Sequence, residues 1–354
     1  MRVPRVTETF IAKGLQCGVH GGHEELGALR AGSKHIYKIY EHPFSRALEV
    51  ITDSREKSSG TILDSQRGEI MNGSAILRVQ CPDQKGLDAG LAEFIYRAGG
   101  NILHFEQHMV RDLGLYLARI EWDLDGFQIE MRDFARHFAP IADCMNMKWQ
   151  IALSSDRLRV AVFVSRYDHC LVDLLYRWHT GELACEIPLI ISNHPDAKRH
   201  ADFYGVPFHV MEVTRENKQE TERRQRALLE QERIDLIVLA RYMQILSPEF
   251  IAHYPQRIIN IHHSFLPAFV GAKPHQQAFE RGVKLLGATA HYVTEALDDG
   301  PIIEQDVMRI SHRDSLEDLV QKGRDLEKIV LSRAVGWHLE HRVLLYANKT
   351  VVFD

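Results

Sequence analysis

An amide and an imidazole stand two residues apart in the run Asn260-Ile-His-His-Ser-Phe-Leu-Pro267. Side chains alternate along an extended chain, so Asn260 and His262 point to one side and Ile261 to the other. Such a pair could polarise a carbonyl, because addition to its carbon builds negative charge on oxygen. Each preorganised donor there is worth about 3–4 kcal/mol. Alone the signal is weak, since two polar residues at a strand edge are more often tied to the adjoining loop. A second stretch follows: Leu286-Gly-Ala-Thr-Ala-His-Tyr-Val293, the loop Glu295-Ala-Leu-Asp-Asp-Gly300, and Pro301-Ile-Ile-Glu-Gln-Asp306. By itself Asp-Asp-Gly before proline is ordinary turn chemistry.

The elements that must position these residues alternate from Arg159 onward. Strands are expected over 159–164, 185–191, 208–212, 235–240 and 257–262, with helices over 170–178, 195–204, 216–233 and 248–254. β-Branched runs alternating with amphipathic ones predict an α/β fold, a doubly wound, mostly parallel Rossmann-like sheet. Ligands bind such sheets beyond the carboxyl ends of the strands, where both stretches fall. Upstream, residues 74–153 form a separate compact unit. A strand at 75–80 runs into the turn Cys81-Pro-Asp-Gln-Lys-Gly86. A helix follows to Gly99-Gly100, then strands at 101–110 and 115–122, a helix at 127–138 and a strand at 147–153. The order βαββαβ is the ferredoxin-like arrangement. Residues 154–158 are a polar linker. Residues 1–70, broken by glycines and without period, read as a disordered leader, with Met71 just before the first clean strand.

Together Asn-x-His, His-Tyr-Val and Leu-Asp-x-Gly-Pro-Ile-Ile make a long composite pattern. It resembles the superfamily of formyltransferases and deformylases that use 10-formyltetrahydrofolate, over roughly residues 159–310. The superfamily motif joins an Asn, a His and an Asp in one site, which implies Asn260, His262 and Asp298 as catalytic residues. There Asp298 would orient and stabilise the charged imidazole or relay protons. The stretch Leu239-Ala-Arg-Tyr-Met-Gln-Ile-Leu-Ser247 resembles the loop that lines the pterin pocket. It implies Met243, Ile245 and Leu246 as apolar walls, with backbone near Gln244 meeting the pterin edge. The first unit resembles an ACT domain through Cys81–Gly86 and Ala98-Gly-Gly-Asn-Ile102. That implies a homo-oligomer and an amino-acid effector near Asp83, Gly86 and Asn101, where a turn into a helix offers free N–H groups to a carboxylate.

Three features favour water as the attacking group. The first catalytic strand ends in Val164-Ser-Arg-Tyr-Asp-His-Cys-Leu171. No glycine lies between Arg159 and Gly181, and bulky Tyr167 and His169 stand where a transferase would cradle a ribose phosphate. An ACT-like unit ahead of this domain resembles the deformylase architecture. The run His263 to Ala272 also resembles the deformylase wording, although Pro274-His-Gln-Gln-Ala278 departs from it and leaves His275 and Gln276 without an assigned role. The activity implied is hydrolysis of 10-formyltetrahydrofolate to formate and tetrahydrofolate, serving purine synthesis and one-carbon balance. The folate is substrate, with no tightly bound cofactor and no metal. The alternatives are a formyltransferase acting on a nucleotide or amino sugar, and an inactive amino-acid-sensing protein.

Composition bounds the rest. The 354 residues suffice for two cored domains. A net charge of -5 provides no basic field for nucleic acid. Five cysteines without C-x-x-C spacing favour neither a disulfide framework nor a zinc knuckle. No apolar run is long enough to cross a membrane and no signal core is present, so the expected location is cytoplasmic.

Overall fold

A computed structural model describes residues 73–267 and 274–354, and the expected leader over 1–70 lies outside them. The first unit runs β1 (Ser74–Pro82), α1 (Leu87–Arg97), β2 (Asn101–Val110), β3 (Leu115–Asp123), α2 (Phe134–Cys144) and β4 (Lys148–Leu153). Its sheet has the order β2-β3-β1-β4 and β1 is antiparallel to both neighbours. Alternation along β1 and β3 turns Leu77, Val79, Ala118, Ile120 and Trp122 into one core with Leu91, Ile95, Phe134 and Phe138. The second helix starts seven residues later than the sequence suggests. The Phe127 amide closes a turn on Leu124 and the Gln128 amide bonds the Ala98 carbonyl at 2.7 Å, so this stretch is pinned to the Gly99 turn. Helix begins only at Phe134, whose ring stacks on Trp122 and Phe138, and it runs through Pro140 to Cys144.

The second unit runs β5 (Leu158–Val164), α3 (His169–His179), β6 (Cys185–Ser192), α4 (Lys198–Tyr204), β7 (Phe208–Val210), α5 (Lys218–Gln231), β8 (Leu236–Ala240), α6 (Pro248–His253) and β9 (Ile258–His262). It continues with α7 (Pro274–Arg281), β10 (Leu285–Tyr292), β11 (Ile302–Arg309), α8 (Leu316–Leu339), β12 (Val343–Tyr346) and β13 (Lys349–Val352). Seven strands form one sheet in the order β11-β10-β9-β8-β5-β6-β7. Neighbours from β9 to β7 are parallel, and β10 is antiparallel to β9 and β11. The mostly parallel α/β sheet is therefore present. Strand β5 shows why both faces are covered. Val160, Val162 and Val164 pack toward α3 and α8, while Ala161 and Phe163 pack toward α5 and α6. Because the chain leaves β5 first to one side and later to the other, the crevice between β5 and β8 is a topological switch point.

Helix α8 starts at a capping box, with the Ser315 hydroxyl accepting from the Asp318 amide and the Asp318 carboxylate accepting from the Ser315 amide. Past it, a hairpin follows, β12–β13. Val343 and Phe353 are buried, which gives this hairpin a packing role. The two units share a seam. Arg78 of β1 donates to the Val343 carbonyl at 2.9 Å, and Arg119 of β3 donates to the Glu340 carbonyl at 3.3 Å.

Candidate active site

Strand β9 ends in Asn260, Ile261 and His262. As alternation requires, Ile261 enters the core, while Asn260 pairs across to His291 of β10 and His262 to Thr289. The loop from β10 to β11 returns Asp298, whose backbone is left-handed at φ 55°. Its Oδ1 lies 3.3 Å from His262 Nδ1. The loop is held from below, since the Tyr292 amide donates to the Pro301 carbonyl and Gly300 packs directly on the Tyr292 carbonyl. A Cβ at Gly300 would stand 1.7 Å from that oxygen, so only glycine fits.

The structure thus brings Asn260, His262 and Asp298 together and adds His291. The His291 Nδ1 is 3.0 Å from the Tyr292 carbonyl, which can only accept, so Nδ1 carries the proton. Its Nε2 lone pair is left to accept from the Asn260 amide at 3.2 Å. Burial lowers the His291 pKa, and a neutral ring 3.9 Å from Asp298 leaves that carboxylate to His262. The hydrogen bond from His262 leads in holding the Asp298 pKa below its ordinary value, against the opposing effect of burial. The His262 Nε2 is buried and has no partner among the described residues. It therefore has a hydrogen bond left to offer a ligand.

The other expected residues divide. Met243 and Ile245 are 56% and 63% exposed, and Met243 adopts φ 55°. Gln244 is half-buried between them. Leu246 instead packs into the core beside Phe163, Tyr242 and Phe250. Asp83 and Gly86 sit on the exposed β1–α1 turn, with Gly86 at φ 91° as the N-cap of α1. Asn101 does not join them within the chain. Strand pairing places it beside Asp123, which faces Ser74 at the start of β1, whereas Asp83 follows the end of β1. Helix α1 has carried the chain back along the full length of the sheet.

A second group of polar side chains escaped the sequence reading because its members are far apart in the chain. Glu327 of α8 is 1% exposed, and its Oε2 lies 2.8 Å from His169 Nε2 and 3.4 Å from Arg241 Nε. Burial alone would raise its pKa, but His169 and Arg241 outweigh that and leave it lowered. His169, Cys170 and Glu327 also form a possible metal-ligand set, with donor atoms within 4.8 Å of one another. Spacing in the sequence had offered no such cluster. The Arg241 charge already balances the carboxylate, and burial raises the Cys170 pKa and favours the thiol. This chemistry fits an ion-paired network better than a cation site.

The Formyl transferase family model matches residues 158–335. A formyltetrahydrofolate deformylase from Synechocystis is 55% identical over 284 residues, which is 80% of this chain and 100% of that protein. The chain belongs to the formyltetrahydrofolate deformylase family. It is accordingly an enzyme, a hydrolase of one-carbon metabolism. The crystal structure of a formyltetrahydrofolate deformylase from Pseudomonas syringae superposes with a TM-score of 0.78 at 42% identity, covering 88% of this chain and 99% of that one. A glycinamide ribonucleotide transformylase from Symbiobacterium toebii matches less, with a TM-score of 0.53 at 28% identity over 56% of this chain and 95% of that one. Deformylase and transferase thus share this fold, and the chemistry must be separated at the site. The deformylase family resemblance spans both units of this chain, whereas the transferase match covers little more than half. No helix of the described residues is long and apolar enough to cross a membrane.

Proposed function

We propose that this chain hydrolyses 10-formyltetrahydrofolate to formate and tetrahydrofolate, with Asn260, His262 and Asp298 as its catalytic residues. The observation that carries this is the 3.3 Å contact from His262 Nδ1 to Asp298, which leaves Nε2 facing no protein partner among the described residues. As water attacks the formyl carbon, Nε2 takes its proton and Asp298 stabilises the imidazolium. The Asn260 N–H not used by His291 and the imidazolium N–H then support the oxyanion. Collapse breaks the bond from carbon to N10, and the imidazolium returns its proton to that nitrogen. The exposed Met243 and Ile245 with the Gln244 backbone would receive the pterin, and Leu246 would anchor that loop from the core. Residues 74–153 would act as an ACT-like unit that pairs copies of the chain and takes an amino acid, and residues 159–354 as the catalytic domain. Formate so released would feed purine synthesis in the cytoplasm.

The test is formate release from 10-formyltetrahydrofolate with no acceptor added. Asp298→Asn should lower kcat by about 10²–10⁴ and leave tetrahydrofolate binding close to wild type. Normal turnover with weakened binding would overturn the assignment. A transferase would instead formylate an added acceptor and release little formate without one.

A further inference from the structure

The crevice between the carboxyl ends of β5 and β8 is where a sheet of this kind admits ligands, and here polar side chains converge on it. Tyr167 follows β5, His169 opens α3 and Arg241 follows β8, while Glu327 of α8 meets His169 at 2.8 Å and Arg241 at 3.4 Å. Arg241 and Arg324 both lie over the Tyr167 ring, at 5.5 and 5.3 Å from its centroid. The wall reaches the reacting imidazole. The His263 ring lies 5.1 Å from that of His262 and 6.0 Å from that of His275, and His275 packs on Gly323, one turn before Glu327 on α8. Burial, reinforced by the Arg241 charge, pushes His263 down to about 3, so this part of the wall is uncharged at neutral pH.

We propose that Arg241, Glu327 and His169 are specificity-determining residues that occupy the acceptor side of the site and leave water as the only nucleophile able to enter. This rests on the hydrolytic reading above. Stability alone does not account for the cluster, because a buried ion pair is no more stabilising than apolar side chains of the same volume. A charged plug also acts against a competitor: the closed wall leaves no room for a nucleophile of more than one heavy atom, and the Arg241 guanidinium repels any that is protonated. Water needs neither space nor charge complementarity.

Hydroxylamine is a small probe nucleophile that can test the wall. Its nitrogen would attack the formyl carbon, the bond from carbon to N10 would break, and an N–H proton would pass to N10. The products are formohydroxamate and tetrahydrofolate, with no oxidant or further reactant. The variant Arg241→Gly combined with Glu327→Gln removes the guanidinium together with its counter-charge. Arg241 sits at φ 63°, which glycine adopts without strain. Formohydroxamate and formate are measured side by side over the uncatalysed background, with tetrahydrofolate binding followed by fluorescence. The wild type should yield formate alone, and the double variant should raise the ratio of hydroxamate to formate by at least roughly tenfold. The plug is refuted if the wild type already partitions like the variant. It is equally refuted by a variant that binds tetrahydrofolate and turns over with an unchanged ratio. If circular dichroism shows the double variant unfolded, His169→Ala is read in the same way. Failure of the wild type to release formate without any acceptor would instead overturn the hydrolytic reading, whatever the ratio.

Discussion

Asn260 spends one of its two amide hydrogens on His291 Nε2, and the proposed mechanism gives the other to the oxyanion. Asn260→Ala removes that donor, and kcat should fall by about 10²–10³ with KM little changed. Steady-state formate release checks this, and a loss confined to KM would assign Asn260 to binding instead. The Asn260–x–His262 pair was legible because strand periodicity alone puts both side chains on one side, and the composite pattern tied Asp298 to them. His291 stood in the same pattern, within His-Tyr-Val, yet its task was not legible. Its role comes from lying opposite Asn260 across two strands, and register between distant segments is not written in either one. Arg241 and Glu327 stayed hidden for the same reason, being joined only when α8 folds over the sheet.

Between β10 and β11 the turn holds Asp298 in place through a single close approach of backbone to backbone. Gly300→Ala would set a methyl group 1.7 Å from the Tyr292 carbonyl, so the turn must open and Asp298 must move with it. The expected result is a loss of at least about 1–3 kcal/mol of stability together with loss of formate release. Thermal unfolding and turnover on the same preparation check both. A variant with normal Tm and normal rate would show that the turn tolerates the shift. Strands were the most readable elements, as the unbroken apolar run of β5 marks a buried strand from its residues. The second helix was misplaced because Phe127 continues the aromatic spacing of Phe134 and Phe138, while its real partners are the Gly99 turn and Trp122. Local pattern cannot distinguish a ring on a helix from a ring that packs on the same core from a turn.

Three imidazoles, His263, His338 and His341, are held neutral by burial with pKa values near 3, and nearby cations lower them further. In the unfolded chain each returns to about 6.5. The unfolded state therefore binds more protons between those values. Stability is complete above pH 6.5 and declines as the pH falls toward 3. At pH 5 each group should cost on the order of 1–2 kcal/mol. Urea unfolding at pH 7.5 and pH 5 should show a clear drop in midpoint, and equal midpoints would place these rings in contact with water. Two of the three, His338 and His341, flank the end of α8, near the seam between the units.

That seam makes the two halves mutual caps. Arg78 and Arg119 reach out of the antiparallel sheet to carbonyl oxygens at Val343 and Glu340, just beyond the last turn of α8. Severed within residues 154–157, each fragment would carry part of an unfinished joint: guanidinium groups stripped of their acceptors on one side, bare peptide oxygens and a loosened hairpin on the other. The second unit is thus better regarded as one side of a hinge plate than as a cartridge that can be lifted out.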